Sequence, residues 1–76
     1  MTLTEFHSQL DNILELPSGT IKGDEGLENL PAWDSLAVLS FIAMADEKLK
    51  VQFSARDIAA CTTVADLARL AGDRIS

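Results

Sequence analysis

Ser35 has the setting in this chain best suited to covalent chemistry, because Asp34 and Ser35 open a run from Leu36 to Leu49 that contains neither proline nor glycine. A serine where a helix starts places its oxygen beside backbone N–H groups that lack partners within the helix. The same position stabilises an attached phosphate through the positive end of the helix dipole. A serine hydrolase would also need a base within reach and a group to hold an oxyanion. The single histidine, His7, lies a whole element earlier and reads as an ordinary, partly exposed side chain. Cys61 is the only cysteine, so no internal disulfide is available, and with His7 it falls short of the four ligands of a structural zinc site. A small buried apolar role is expected of it. The carboxylates fall in caps and loops without a His/Asp/Glu cluster, so neither a metal site nor a catalytic residue is expected.

Four helices are expected to position Ser35. Thr2 stands three residues before Glu5 in capping-box spacing, and Leu3, Phe6, Leu10, Ile13 and Leu14 then repeat at a helical period, which predicts a first helix over 3–15. Pro17 and Ser18-Gly19 are expected to end it. The connection that follows, 17–34, is longer than the usual four to six or so residues. Ile21, Leu27 and Leu30 are spaced to anchor it, while Asp24, Glu25 and Glu28 are expected to stay in water. On the helix that starts at the Trp33-Asp34-Ser35-Leu36 junction, Val38, Phe41, Ile42, Ala45 and Leu49 gather on a core face. Leu36, Leu39, Ala43 and Glu47 gather on another, beside Ser40, where solvent would ordinarily favour polar groups. Val51-Gln52-Phe53 crosses to a short third helix, for which Ser54 and Asp57 have capping-box spacing and Ile58 points inward. Thr63 and Asp66 repeat that spacing before a fourth helix of Val64, Leu67, Ala68 and Leu70 that ends near Gly72. The fold class expected is therefore all-α, with three principal helices, a short third one and a long first loop.

Seventy-six residues suit one domain, 1–76, with one modest core. The apolar fraction is 47%, but charged residues interrupt the chain too often for a membrane span, and the N-terminus lacks the pattern of a secretory signal. A soluble, cytoplasmic protein is the expectation. The formal charge of −6 would repel nucleic acid and anionic membrane surfaces. Residues 1–34 carry seven acids against Lys22, whereas acids and bases balance in 35–76, so the negative surface belongs to the first half.

Asp34-Ser35-Leu36 resembles the Asp-Ser-Leu signature of the acyl carrier protein family and related thiolation domains, whose serine bears 4′-phosphopantetheine as a phosphodiester. The likeness extends over nearly the whole chain: first amphipathic helix, long loop, helix starting at the motif, and Ala60-Cys61-Thr62-Thr63-Val64-Ala65-Asp66-Leu67, which is similar to the family's Thr-Thr-Val entry into its last helix. The resemblance implies an acyl-carrier-like four-helix bundle that is not an enzyme. It implies that Ser35 receives the arm from coenzyme A, that Asp34 helps position metal-bound phosphates during transfer, and that Leu36 contacts the phosphopantetheinyl transferase. Leu36, Leu39, Ala43 and Glu47 would face partner enzymes, while Phe41, Ala45, Phe53, Ile58 and Cys61 would line an interior able to receive an acyl chain. The implied partners are that transferase and acyl-loading and condensing enzymes such as ketosynthases and acyltransferases, with no nucleic acid and no membrane insertion, for a monomer.

Ala37 and Ser40 stand where many fatty-acid carriers are acidic, and Lys48 and Lys50 replace further acidic character. A carrier for polyketide-like, aryl-polyene-like or other secondary lipid synthesis is thus as well supported as a fatty-acid carrier. A peptidyl carrier fits less well, since that group commonly approaches its serine through glycines and here the approach is Leu30-Pro31-Ala32-Trp33. From another class, an unmodified interaction domain would use Leu36 and Leu39 to bind a partner and Ser35 as a mere cap. Trp33 has two readings, packing against the loop and Leu36, or contact with partners.

Overall fold

Local hydrogen bonds start the helices. In a computed structural model, which describes residues 1–75, α1 (Leu3–Ile13) opens on a reciprocal cap: the Thr2 hydroxyl accepts from the Glu5 N–H at 3.1 Å, and the Glu5 carboxylate accepts from the Thr2 N–H at 2.9 Å. Ser54 with Asp57 starts α3 (Ala55–Ala59) in the same way, and Thr63 with Asp66 starts α4 (Val64–Ala71). Hydrogen bonds from the Thr2 backbone hold the Glu5 carboxyl below its ordinary range, and those from Thr62 and Thr63 do the same for Asp66.

α1 stops at Ile13, two residues before the expected end and well short of Pro17. Its last turn closes on itself: the Glu15 N–H donates to the Asn12 carbonyl at 3.2 Å and the Leu16 N–H to the Asp11 carbonyl at 2.8 Å. This is the paired closure of a Schellman turn, and it puts Glu15 in the left-handed region at φ 57°. A side chain there is strained where glycine would not be. Glu15→Gly is expected to raise stability by about 0.5–1 kcal/mol, the strain relieved less the entropy that glycine adds to the unfolded chain. A thermal melt measures it, and an upward shift of a few degrees is expected.

The second helix, α2, runs as an α-helix over Ser35–Met44 and continues as a wider π-turn over Ala45–Leu49. Phe41, Ala45 and Leu49 are four apart, and in an unbroken α-helix each step would rotate by about 40° away from the core. The wider turn counters that drift, and all three are buried. Ala37 and Met44 are buried with them, whereas Val38 and Ile42, expected on the core face, are only half-buried.

Phe6 and Leu10 of α1, Phe41 of α2, and Val64 and Leu67 of α4 form the centre of the core. Phe41 is its aromatic hub, meeting Phe6 edge to face at 5.9 Å and stacking on Phe53 at 5.9 Å. The arrangement is all-α with four helices, and the one β-bridge among the described residues is Gly26 with Thr63. No helix is long and apolar enough to cross a membrane among the described residues.

Candidate functional site

The long loop brings Ser35 to its place, and Asp11 holds the near end of that loop. This carboxylate is 3% exposed; one oxygen accepts from the Gly19 N–H at 2.9 Å and the other from the Ile21 N–H at 3.0 Å. Ile21 and Leu27 are buried and Leu30 is half-buried, as their spacing predicted. Asp24 and Glu28 are exposed, but Glu25, expected in water, is half-buried. Its carboxylate accepts from the Lys22 and Gly23 N–H groups at 2.7 and 2.8 Å, building a tight turn. Beyond it the chain pairs with the entry to α4: the Leu27 N–H donates to the Thr62 carbonyl at 2.8 Å and the Val64 N–H to the Glu25 carbonyl at 3.0 Å. A short 3₁₀ turn, Leu27–Asn29, then leads to Trp33.

Trp33 is half-buried and lies edge to face with Phe41, 6.1 Å between centroids. Packing is therefore a role it has, against Phe41 of the hub. The chain emerges from it extended at Asp34, whose carboxylate accepts from the Ala37 N–H at 2.9 Å. Asp34 is thus the cap of α2, and Ser35 occupies the first helical position. The serine is exposed. Its oxygen is relieved of capping, stands at the positive end of a ten-residue helix and is open to solvent.

Ser35 also borders an open cleft of about 770 Å³. Trp33, Val38 and Leu39 line one side; Ala55, Ile58 and Cys61 line another. Of the five residues expected around an acyl chain, Ile58 and Cys61 line this cleft, whereas Phe41 and Ala45 are fully buried in the core and Phe53, stacked on Phe41, is not among the lining residues. The leucine side of α2 remains uncovered: Leu36 is 72% exposed and Leu39 63%, and Ser40, Ala43 and Glu47 are exposed with them.

Burial, with Asp66 and Asp57 nearby, pushes the Cys61 thiol up, and its Sγ is a weak donor to the Asp57 carbonyl at 3.6 Å. Kept protonated, it is a poor nucleophile. Alkylation of Cys61 by iodoacetamide at pH 7 is expected to run several-fold slower in the folded chain than in denaturant, measured by mass. His7 lines a different cavity of about 410 Å³ with Lys22 and Gly23, and is not among the residues that line the Ser35 cleft. No group of three or more His, Cys, Asp or Glu suited to a metal ion occurs among the described residues.

The family model described as phosphopantetheine attachment site matches residues 9–71 of the 76. No curated protein and no solved structure matches the chain. The family match covers all of α2, α3 and α4 and all but the first turns of α1, so it takes in the loop, the cap and the cleft together.

Proposed function

The chain belongs to the phosphopantetheine attachment site family, non-catalytic carrier domains of the acyl-carrier type with 4′-phosphopantetheine as their cofactor, and from that premise we propose that Ser35 carries the arm and that the cargo is an acyl group. 4′-Phosphopantetheine supplies a flexible tether ending in a thiol, on which cargo is held as a thioester. The observation that carries the assignment to Ser35 is the division of labour at the start of α2, where Asp34 caps the helix and leaves the serine hydroxyl exposed beside the cleft. In the loading step, Ser35 Oγ forms a bond to the phosphorus bearing the pantetheine, and the pyrophosphate bond of coenzyme A breaks. Adenosine 3′,5′-bisphosphate leaves, and the serine proton passes to a base of the transferase. The helix dipole then favours the phosphodiester charge. Asp34 keeps one carboxylate oxygen outside the cap, available to a metal-bound phosphate during transfer.

The cargo reading favours an acyl chain over a peptide because the cleft beside Ser35 is walled mostly by apolar side chains and the serine is approached through Leu30-Pro31-Ala32-Trp33 rather than glycines. Fatty-acid, polyketide and related lipid synthesis all use such cargo. Ketosynthases and acyltransferases are the partner class, in addition to the transferase. Leu36 and Leu39 supply the apolar centre of a docking surface, with Ala43 between them and Glu47, and charge at the edge steers encounter. Within residues 1–76 this reading has one carrier module, acting as a monomer.

The rival, an unmodified interaction domain, uses the same leucines without an arm, and its partner would bind the unloaded chain as well as the loaded one. The two are separated by incubating the chain with coenzyme A, magnesium and a broad-specificity phosphopantetheinyl transferase, then mapping the modified peptide. The carrier reading expects one arm, on Ser35; an unmodified, folded chain supports the rival.

A further inference from the structure

We propose that Trp33 is the cleft wall that selects cargo, favouring a flat conjugated or aromatic acyl group over a saturated chain of equal length. This rests on Ser35 as the site of the arm. Because Ser35 is itself one of the residues that line the cleft, an occupant tethered there enters without leaving the protein surface. Trp33 is the one aromatic residue among those lining it: Phe6 and Phe41 are fully buried, and Phe53 is stacked on Phe41. The Trp33 backbone N–H donates to the Leu30 carbonyl at 2.9 Å, which holds the main chain, and the indole ring packs edge to face on Phe41 while remaining only half-buried, so one side of it is supported before any cargo arrives. A pre-ordered aromatic wall gives up little freedom on binding, and it stacks with a π-system in a way that it cannot with a saturated chain.

Other cleft residues fit the same occupant. Ala55 and Ala59 present only methyl groups, which leaves room for a rigid group that cannot fold around larger side chains. Glu28 lines the cleft without any Lys or Arg among its lining residues, so an anionic cargo would be opposed there and an uncharged one admitted.

The test loads the carrier with hexanoyl or hexa-2,4-dienoyl pantetheine, which have equal length and differ in conjugation. Intact mass first establishes that each arm is on the chain. The rate at which hydroxylamine cleaves each thioester is then divided into the rate for the corresponding coenzyme A thioester, which cancels intrinsic reactivity and leaves the protection that the protein gives. The dienoyl group is expected to be protected more than the hexanoyl group by about 2- to 10-fold, the order that aromatic stacking contributes. It is also expected to change the emission of Trp33, the single tryptophan of the chain. Trp33→Leu should make the two protection factors equal, and Trp33→Phe should keep part of the difference. Equal protection in the parent chain, or a dienoyl excess that survives in Trp33→Leu, overturns the inference, and the parent comparison decides it even if the leucine variant folds poorly. A chain that takes no arm overturns the carrier reading as well, whereas a loaded chain with equal protection overturns the cargo selection alone.

Discussion

Asp11→Ala is expected to lower stability by about 3 kcal/mol, because hydrogen bonds to a charged group contribute about 1.5–3 kcal/mol each and this carboxylate accepts two, from Gly19 and Ile21. For a domain this small that corresponds to a drop in melting temperature of roughly 12–24 °C. The cost is large because the bond is buried: removing the carboxylate leaves the buried Ile21 N–H without its partner. Asp11→Asn keeps an oxygen for one N–H and turns an amide towards the other, so its loss should be intermediate. Asp24→Ala, an exposed acid in the same loop, serves as the control and should shift stability by under about 0.5 kcal/mol. A melting temperature for Asp11→Ala within two or so degrees of the parent would show that the loop is held by its apolar anchors and its pairing with Thr62 and Val64 instead. Asp11→Ala should also slow arm addition, because the loop it fixes carries Trp33 and Asp34 into position.

Ser35→Ala is expected to end arm addition entirely while changing stability by less than about 0.5 kcal/mol. The side chain is exposed, and the cap that starts α2 belongs to its neighbour, so alanine removes the nucleophile without unmaking the helix. Asp34→Ala has the opposite profile. It leaves the hydroxyl in place but frees the Ala37 N–H of its partner, at a cost of about 1 kcal/mol. Intact mass and thermal melts on the two variants separate the serine that reacts from the aspartate that presents it. Undiminished arm addition to Ser35→Ala would place the attachment on another residue.

Much of this architecture is legible in local patterns. The three capping boxes, Thr2 with Glu5, Ser54 with Asp57 and Thr63 with Asp66, form as their spacing indicates, because such contacts depend only on residues three apart. The exposed leucine face of α2 follows in the same way from its period. What the sequence left obscure is non-local. Asp11 lies beside the apolar stripe of α1 and reads as a solvent-facing acid until the loop folds back to offer it two N–H groups eight and ten residues on. Glu25 was hidden for a similar reason, as a turn-forming carboxylate in a loop rich in acids. The π-turn at Ala45–Leu49 has no sequence marker, and along the α-helical part of α2 it is Ala37 and Met44 that are buried, whereas Val38 and Ile42 are only half-buried. The resemblance placed Phe41, Ala45 and Phe53 around an interior able to receive an acyl chain, but a likeness of motif does not say whether an inward residue faces a cavity or its own neighbours.

Cap, loop and cleft converge on one hydroxyl. The loop is clasped at Asp11 and again at the entry to α4, so Trp33 and Asp34 arrive with little freedom, and Ser35 is presented at a fixed point between the exposed leucines and the cleft. On the proposed reading, a transferase would reach Ser35 from the leucine side and the cargo would lie on the cleft side, with the protein supplying position rather than bond making.

The most direct measurement is the intact mass of the parent chain after incubation with coenzyme A, magnesium and a phosphopantetheinyl transferase, followed by fragmentation to locate the added group. One 4′-phosphopantetheine on Ser35 is the expected result; a folded chain of unchanged mass, or an arm on any other residue, would contradict the assignment.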